Sequence, residues 1–394
     1  MAAEANTKEC PICSSSSIET FIDIQQIPII CNVLWSDRDG AIQASRGDIQ
    51  LSYCHDCGHI YNRAYDPQEL EYNQQYENSL HFSPTFQKYI YDLACQLVVK
   101  YNIYRKSIVE IGSGQGDFIR MLCGLGGNSG IGFDPSYAPS LSNRGEGITF
   151  IQDYYSEKYA SYTADFVCCR QVLEHIYQPS TFLQMLRSII GKSNETILFF
   201  EMPNAEYTIF NLGIWDILYE HYSYFNPTSL ACVFARNGFQ VLNIEKTFGG
   251  QFLTIEASPV EQRMDGAQID THQLNTFSQA VSQFASRYHQ KITTWQKNLE
   301  EIKQGGKKAV IWGAGTKGII FLNILKTGGI IDYVVDINPR KHGMYISGTG
   351  QKIVPPEFLK DYQPNTVIVM NENYIKEIRN QLSALGIFPE VVAA

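Results

Sequence analysis

The sequence predicts an α/β protein built from several units, and three observations carry that expectation. Apolar strand-like runs alternate with segments of helical period through the middle of the chain. Two of those runs end in glycine-rich turns, VEIGSGQGDF at 109–118 and VIWGAGTKG at 310–318. Four cysteines stand as two C-x-x-C pairs, CPIC and CHDC, toward the N-terminus. At 394 residues the chain exceeds one ordinary domain of about 150 residues and has ample material for a core.

Composition narrows the function classes. No stretch approaches the roughly 20 consecutive apolar residues of a membrane span, and MAAEANTKEC has no apolar signal region. A cytoplasmic protein with no membrane partner is therefore expected. The net charge of −9 argues against broad binding to nucleic acid or anionic lipid, though a local basic pocket for one phosphorylated substrate is compatible with it.

Residues 1–72 read as a zinc-binding unit. Cys10 with Cys13 and Cys54 with Cys57 each offer two thiolates to one side of a tetrahedral ion, and four protein ligands leave no open position, so the expected zinc is structural. The long insert between the pairs needs strands of its own, and IQLSYC and HIYNRAY suit them. Cys95, Cys123, Cys168, Cys169 and Cys232 sit in apolar runs and read as core.

Residues 73–261 follow with a helix, FQKYIYDLACQLVVKYN, and then five strand patterns. SIVEIGSG ends in the first glycine turn, GNSGIGFDPS ends in Asp134, and ITFIQDYY carries Asp153; ADFVCCRQVLEHI and TILFFEMPN complete the series. Strands alternating with helices predict a parallel sheet with helices on both faces and a ligand at the strands' carboxyl ends. Residues 262–306 have helical spacing and end in Gly305 and Gly306, a helical connector. In 307–394, Gly313, Gly315 and Gly318 stand in G-x-G-x-x-G order with Asp336 ending the next strand, a dinucleotide fingerprint by spacing. The segment is too short for a complete dinucleotide fold with a catalytic domain.

The stretch WDILYEHYSYFNP concentrates chemistry. Glu220 and His221 are adjacent, with Tyr219, Tyr222 and Tyr224 around them. A histidine beside a carboxylate and phenols has the makings of a general base; the plainer reading is a capped helix start with surface aromatics. His175, in RQVLEHIYQP after the fourth strand, is the second candidate.

The turn E-x-G-x-G-x-G, with Glu110, Gly112 and Gly114, resembles motif I of class I S-adenosylmethionine-dependent methyltransferases. That resemblance implies a Rossmann-like core that holds S-adenosyl-L-methionine. Glu110 would lie near the methionine end, Asp134 at the ribose hydroxyls and Asp153 beside the adenine, with Gln171 and Tyr76 lining the methionine end. Another kind of nucleotide-binding fold is the alternative.

Taken together, the C-x-x-C pairs, the glycine turn, FEMPN, EHYSYF, FGGQFLTIEA and GAGTKGIIFLNIL in this order resemble the sugar C-methyltransferases that build branched deoxysugars on a thymidine diphosphate carrier. The resemblance implies a class I methyltransferase core between a small N-terminal zinc-binding domain and a C-terminal Rossmann-like α/β domain that binds substrate without a redox cofactor. It also implies a nucleotide-linked keto-sugar as the small-molecule partner. A base removes the proton alpha to the ketone, and the enolate carbon takes the methyl in line. Glu220 would be the polariser, His221 the base, and His175 would face the substrate carbonyl. The family's tyrosine two residues before the glutamate is Leu218 here, so Tyr219 is the candidate for that place. Two other readings stay open: the same scaffold methylating another acceptor at carbon, oxygen or nitrogen, and an NAD-dependent oxidoreductase or nucleotide-binding module built on 307–394.

Overall fold

A computed structural model describes residues 8–70, 76–77, 79–138, 147–191, 195–261 and 270–394. The N-terminal sheet contains β1 (Ile18–Pro28), β2 (Arg46–Cys54) and β3 (Ile60–Asn62), paired antiparallel in that order. β2 and β3 lie in the two segments that the sequence nominates, while β1 has no counterpart there.

The central sheet begins with β4 (Ser107–Ile111), β5 (Ser129–Phe133), β6 (Ile148–Ile151), β7 (Phe166–Arg170) and β8 (Ile197–Pro203). All five are parallel, and the sheet runs β8-β7-β4-β5-β6 through its parallel part. Continuous apolar runs such as FVCCR and ILFFEMP suit strands buried on both faces. The chain then makes a two-residue strand, β9 (Ser223–Tyr224), that leaves this sheet and pairs with β3. The aromatic stretch after β8 is thereby tied to the N-terminal unit. β10 (Phe239–Thr247) and β11 (Phe252–Pro259) return as an antiparallel hairpin, with β11 against β8. They extend the five expected strands to seven.

Because β4 is followed by β5 on one side and β7 lies on the other, the sheet opens a crevice at the carboxyl ends of β4 and β7. The glycine turn occupies it. Gly116 stands before the helix Asp117–Gly126 at φ 85, a left-handed conformation that favours glycine.

A 34-residue helix, Thr271–Gln304, crosses next, started by Asp270, whose carboxylate accepts from the amides of His272 and Gln273. Its buried residues, Phe277, Val281, Phe284, Tyr288, Trp295 and Leu299, form one stripe. The first half meets the N-terminal sheet at Phe21 and Tyr53, and Trp295 meets Phe321 of the last unit. The helix thus lies within the expected connector; the segment 262–269, and the expected boundary at 72/73, fall outside the described residues.

The last unit is a five-stranded parallel sheet, β14-β13-β12-β15-β16, made of β12 (Ala309–Trp312), β13 (Ile331–Val335), β14 (Lys352–Val354), β15 (Thr366–Val369) and β16 (Glu390–Ala393). Among the described residues no helix is long and apolar enough to cross a membrane.

Candidate active site

A cavity of about 290 Å³ lies between the carboxyl ends of β7 and β8 and the glycine loop that follows β12. Gln171, Glu174 and His175 come to it from the turn after β7, His221 from the stretch before β9, and Gly313, Lys317, Asp336 and Lys341 from the last unit. Two units of the chain therefore build one pocket.

His175 and His221 meet edge to face with ring centroids 4.9 Å apart. His175 sits on the short turn Leu173–His175, and its Nδ1 stands 3.0 Å from the backbone carbonyl oxygen of Glu220. A carbonyl oxygen only accepts, so Nδ1 carries the proton and Nε2 of the neutral ring carries the lone pair. Burial pushes His175 down to about 4, and pushes His221 well below its ordinary value with help from His175 and Lys317. Both rings are neutral near pH 7. The backbone under His221 is fixed by Tyr224, whose hydroxyl donates to the Leu218 carbonyl at 2.9 Å and accepts from its amide at 3.0 Å.

Glu220 is buried, yet its carboxylate does not face His221. Oε2 accepts the Cys31 amide at 3.0 Å, and the Tyr76 phenol also bonds the carboxyl. Burial raises its pKa to about 7. The expected polariser therefore reaches the histidines through its peptide carbonyl. Tyr76 does line the cavity. Tyr219 does not: its hydroxyl accepts the Asp66 amide at 3.0 Å, its ring stacks on Tyr65, and a side chain at Gly47 would collide with it. The geometry makes Tyr219 a packing residue against the N-terminal unit, away from the cavity.

The first glycine turn, Gly112 to Gly116, lies apart from the residues that line this cavity. A Cβ at Gly112 would lie 2.1 Å from Val172 Cγ2 and one at Gly116 would lie 2.3 Å from Phe150, whereas one at Gly114 would meet nothing within 4 Å. Gly114 thus presents bare backbone to open space, as a loop that a ligand approaches must. Asp134 closes the turn, with Oδ2 accepting the Gly114 amide at 2.7 Å and Oδ1 accepting the Ser136 amide at 2.8 Å. Glu110 lies beneath, its Oε2 accepting the Ile119 amide at 3.1 Å, and burial raises its pKa to about 8 against the pull of Arg170. Asp153 is turned to Lys158 and Tyr159 at the edge of the sheet. Gln171, at φ 55, lines the cavity and is held by Glu201 through its amide at 2.7 Å.

Several site groups have no single-residue signal in the sequence. Glu201 of FEMPN accepts Arg170 Nη2 at 2.7 Å and also holds Tyr89, a buried polar network below the crevice. Lys317 pairs with Asp216 across the two units. Lys341 is 5% exposed and places Nζ 2.9 Å from the Ala314 carbonyl inside the second glycine loop. Asp336 repeats the role of Asp134, accepting the amides of Ala314 and Asn338 at 2.8 Å each.

The four cysteines Cys10, Cys13, Cys54 and Cys57 form a separate cluster. Their sulfurs lie within 4.8 Å of one another, with Cys10 to Cys57 at 3.6 Å and Cys13 to Cys54 at 3.5 Å, and none is in a disulfide. A zinc–sulfur bond of about 2.3 Å gives a tetrahedron with edges of about 3.8 Å, so the donor set fits that ion.

Matched domain families and single proteins resemble parts of this chain. A family model described as a methyltransferase domain matches residues 86–244, and one described as a C-methyltransferase C-terminal domain matches 260–387. C-methyltransferase NovU of Streptomyces niveus is 22% identical over 286 residues, 69% of this chain and 67% of that protein. Among solved structures, the Streptomyces davawensis N,N-8-amino-8-demethyl-D-riboflavin dimethyltransferase RosA is similar at 19% identity and TM-score 0.36, over 44% of this chain and 55% of that one. The magnesium protoporphyrin IX methyltransferase ChlM of Synechocystis PCC 6803 is similar at 18% identity and TM-score 0.33, over 44% and 80%. With a methyltransferase domain model matching its middle and a C-methyltransferase C-terminal domain model matching after it, the chain is similar to C-methyltransferases in both segments, and an S-adenosylmethionine-dependent methyltransferase is the enzyme class that these matches support.

Proposed function

We propose that this C-methyltransferase acts on a nucleotide-linked keto-sugar, methylating the carbon alpha to its ketone through a base-generated enolate. The observation that carries this reading is the shared cavity, which sets two neutral histidines from the core opposite a glycine loop and two lysines from the last unit. Gly313 and Gly315 leave open space before the helix Thr316–Leu325, whose first amides lack partners within the helix, a setting that suits a diphosphate. Lys341 adds a buried positive charge there. A small sugar held by such a carrier would reach toward His175 and His221.

The tautomer of His175 supports one division of the roles. With Nδ1–H spent on the Glu220 carbonyl, Nε2 is an acceptor and suits removal of the alpha proton. The neutral His221 ring beside it then donates to the ketone oxygen as negative charge develops there. This exchanges the roles that residue adjacency alone assigns. Bound at the Gly114 turn, S-adenosylmethionine would supply an electrophilic methyl, with Glu110 and Asp134 at the turn and Gln171 and Tyr76 on the cavity wall as the residues that would hold it. Glu174 Oε1, 3.9 Å from His175 Nε2, meets the positive charge that the ring acquires. We assign zinc to the four cysteines as a closed structural ion that takes no part in this chemistry.

Incubation with methyl-labelled S-adenosylmethionine and a panel of nucleotide-linked sugars tests the reading. Label on a carbon next to the ketone is expected; label on oxygen or nitrogen, or turnover only of acceptors without a nucleotide, contradicts it.

A further inference from the structure

Glu174 is a buried acid whose second carboxyl oxygen the proposed reaction does not use. It is 1% exposed, and among the described residues its Oε2 has no hydrogen-bond partner and no lysine or arginine forms an ion pair with it. A carboxylate taken out of water is costly unless a cation or several donors meet it. What lies beside it are two imidazoles. One ligand atom each from Glu174, His175 and His221 fall within 4.8 Å of one another, and all three residues line the cavity.

The surroundings match those of a metal ligand set. Metal-binding histidines usually give their second ring nitrogen to a carboxylate or backbone carbonyl, which fixes the ring, and His175 Nδ1 does so on Glu220. Two imidazoles with one carboxylate suit borderline transition metals better than magnesium or calcium, which take oxygen ligands. Three protein ligands on a cavity wall leave open positions toward the substrate space.

We propose that Glu174, His175 and His221 form a divalent transition-metal site in the cavity wall, distinct from the cysteine cluster, and that filling it stops methyl transfer. The ion takes the Nε2 lone pair of His175, so no base remains for the alpha proton. The inhibitory half rests on the proposed roles of the histidines; the binding half does not.

Cobalt(II) is the probe. The full chain, given one equivalent of Zn²⁺ to fill the cysteines, is titrated with Co²⁺ by calorimetry and visible absorption. One further equivalent is expected, with weak ligand-field bands and no strong thiolate-to-cobalt charge transfer. Glu174→Gln should weaken binding at least about tenfold, and His221→Asn should do the same, with circular dichroism and S-adenosylmethionine binding reporting that each variant is folded. Absence of the further equivalent, thiolate bands alone, or unchanged affinity in both folded variants would overturn the site. Methyl transfer should fall in step with cobalt occupancy and return after a chelator removes cobalt but leaves the zinc. Unchanged or raised turnover at full occupancy would overturn inhibition. Failure of every acceptor to turn over would instead sink the functional reading, and the spectra would still decide the site.

Discussion

His175 Nδ1 and the peptide carbonyl of Glu220 are 3.0 Å apart, so the glutamate orients the histidine with its backbone while its carboxylate is occupied at Cys31 and Tyr76. Glu220→Gln keeps the carbonyl and can still accept the Cys31 amide. It should lower kcat by no more than about tenfold, whereas His175→Asn should lose about 10²–10⁴-fold, the usual worth of a positioned base. Steady-state kinetics of the two variants check this. Equal losses would return the leading role to the carboxylate.

The two glycines of the first turn should separate binding from folding. Gly114→Leu costs about 1–2 kcal/mol for a left-handed residue but meets open space, so the protein should fold and fail to bind S-adenosylmethionine in calorimetry. Gly112→Ala forces a Cβ against Val172 and adds a packing penalty of about 1–3 kcal/mol, so thermal melts should show the larger loss of stability there.

Lys341 should report on the carrier. Lys341→Met removes a buried positive charge from the second glycine loop without touching the histidines. A charge-assisted hydrogen bond contributes about 1.5–3 kcal/mol, so KM for a nucleotide-linked acceptor should rise by about tenfold or more. S-adenosylmethionine affinity should stay as it was. A fall in kcat alone would place Lys341 outside the carrier site.

Zinc removal should act on stability. Metal analysis should find about one zinc per chain, and Cys54→Ser should lower the melting temperature more than it lowers kcat of the surviving folded protein, because a closed site contributes folding energy. Folded protein free of zinc and iron would contradict the assignment.

The parallel strands and both glycine turns were legible because each is a local pattern: an apolar run, a bend that needs glycine, and an acid ending the next strand at Asp134 or Asp336. The cysteine pairs were legible for the same reason. Tyr219 was misleading, since adjacency to Glu220 and His221 says nothing of direction; pairing of Ser223–Tyr224 with β3 sends its ring to Asp66 instead of the cavity. Glu174 was hidden because one acid after a strand resembles any surface acid until burial is known. The Arg170–Glu201–Tyr89 network joins three distant segments, and no spacing within one segment reveals it.

The central claim is that a histidine of this cavity takes a proton from carbon. Incubating the enzyme with a nucleotide-linked keto-sugar in deuterium oxide, with S-adenosylhomocysteine in place of the methyl donor, measures that step alone by mass spectrometry or proton NMR. The account predicts deuterium at the carbon alpha to the ketone with the native protein, little or none with His175→Asn, and exchange reduced but present with His221→Asn. Exchange that survives in His175→Asn and vanishes in His221→Asn would reverse the two roles. No exchange in the native protein, together with methyl transfer to oxygen, would contradict the enolate mechanism.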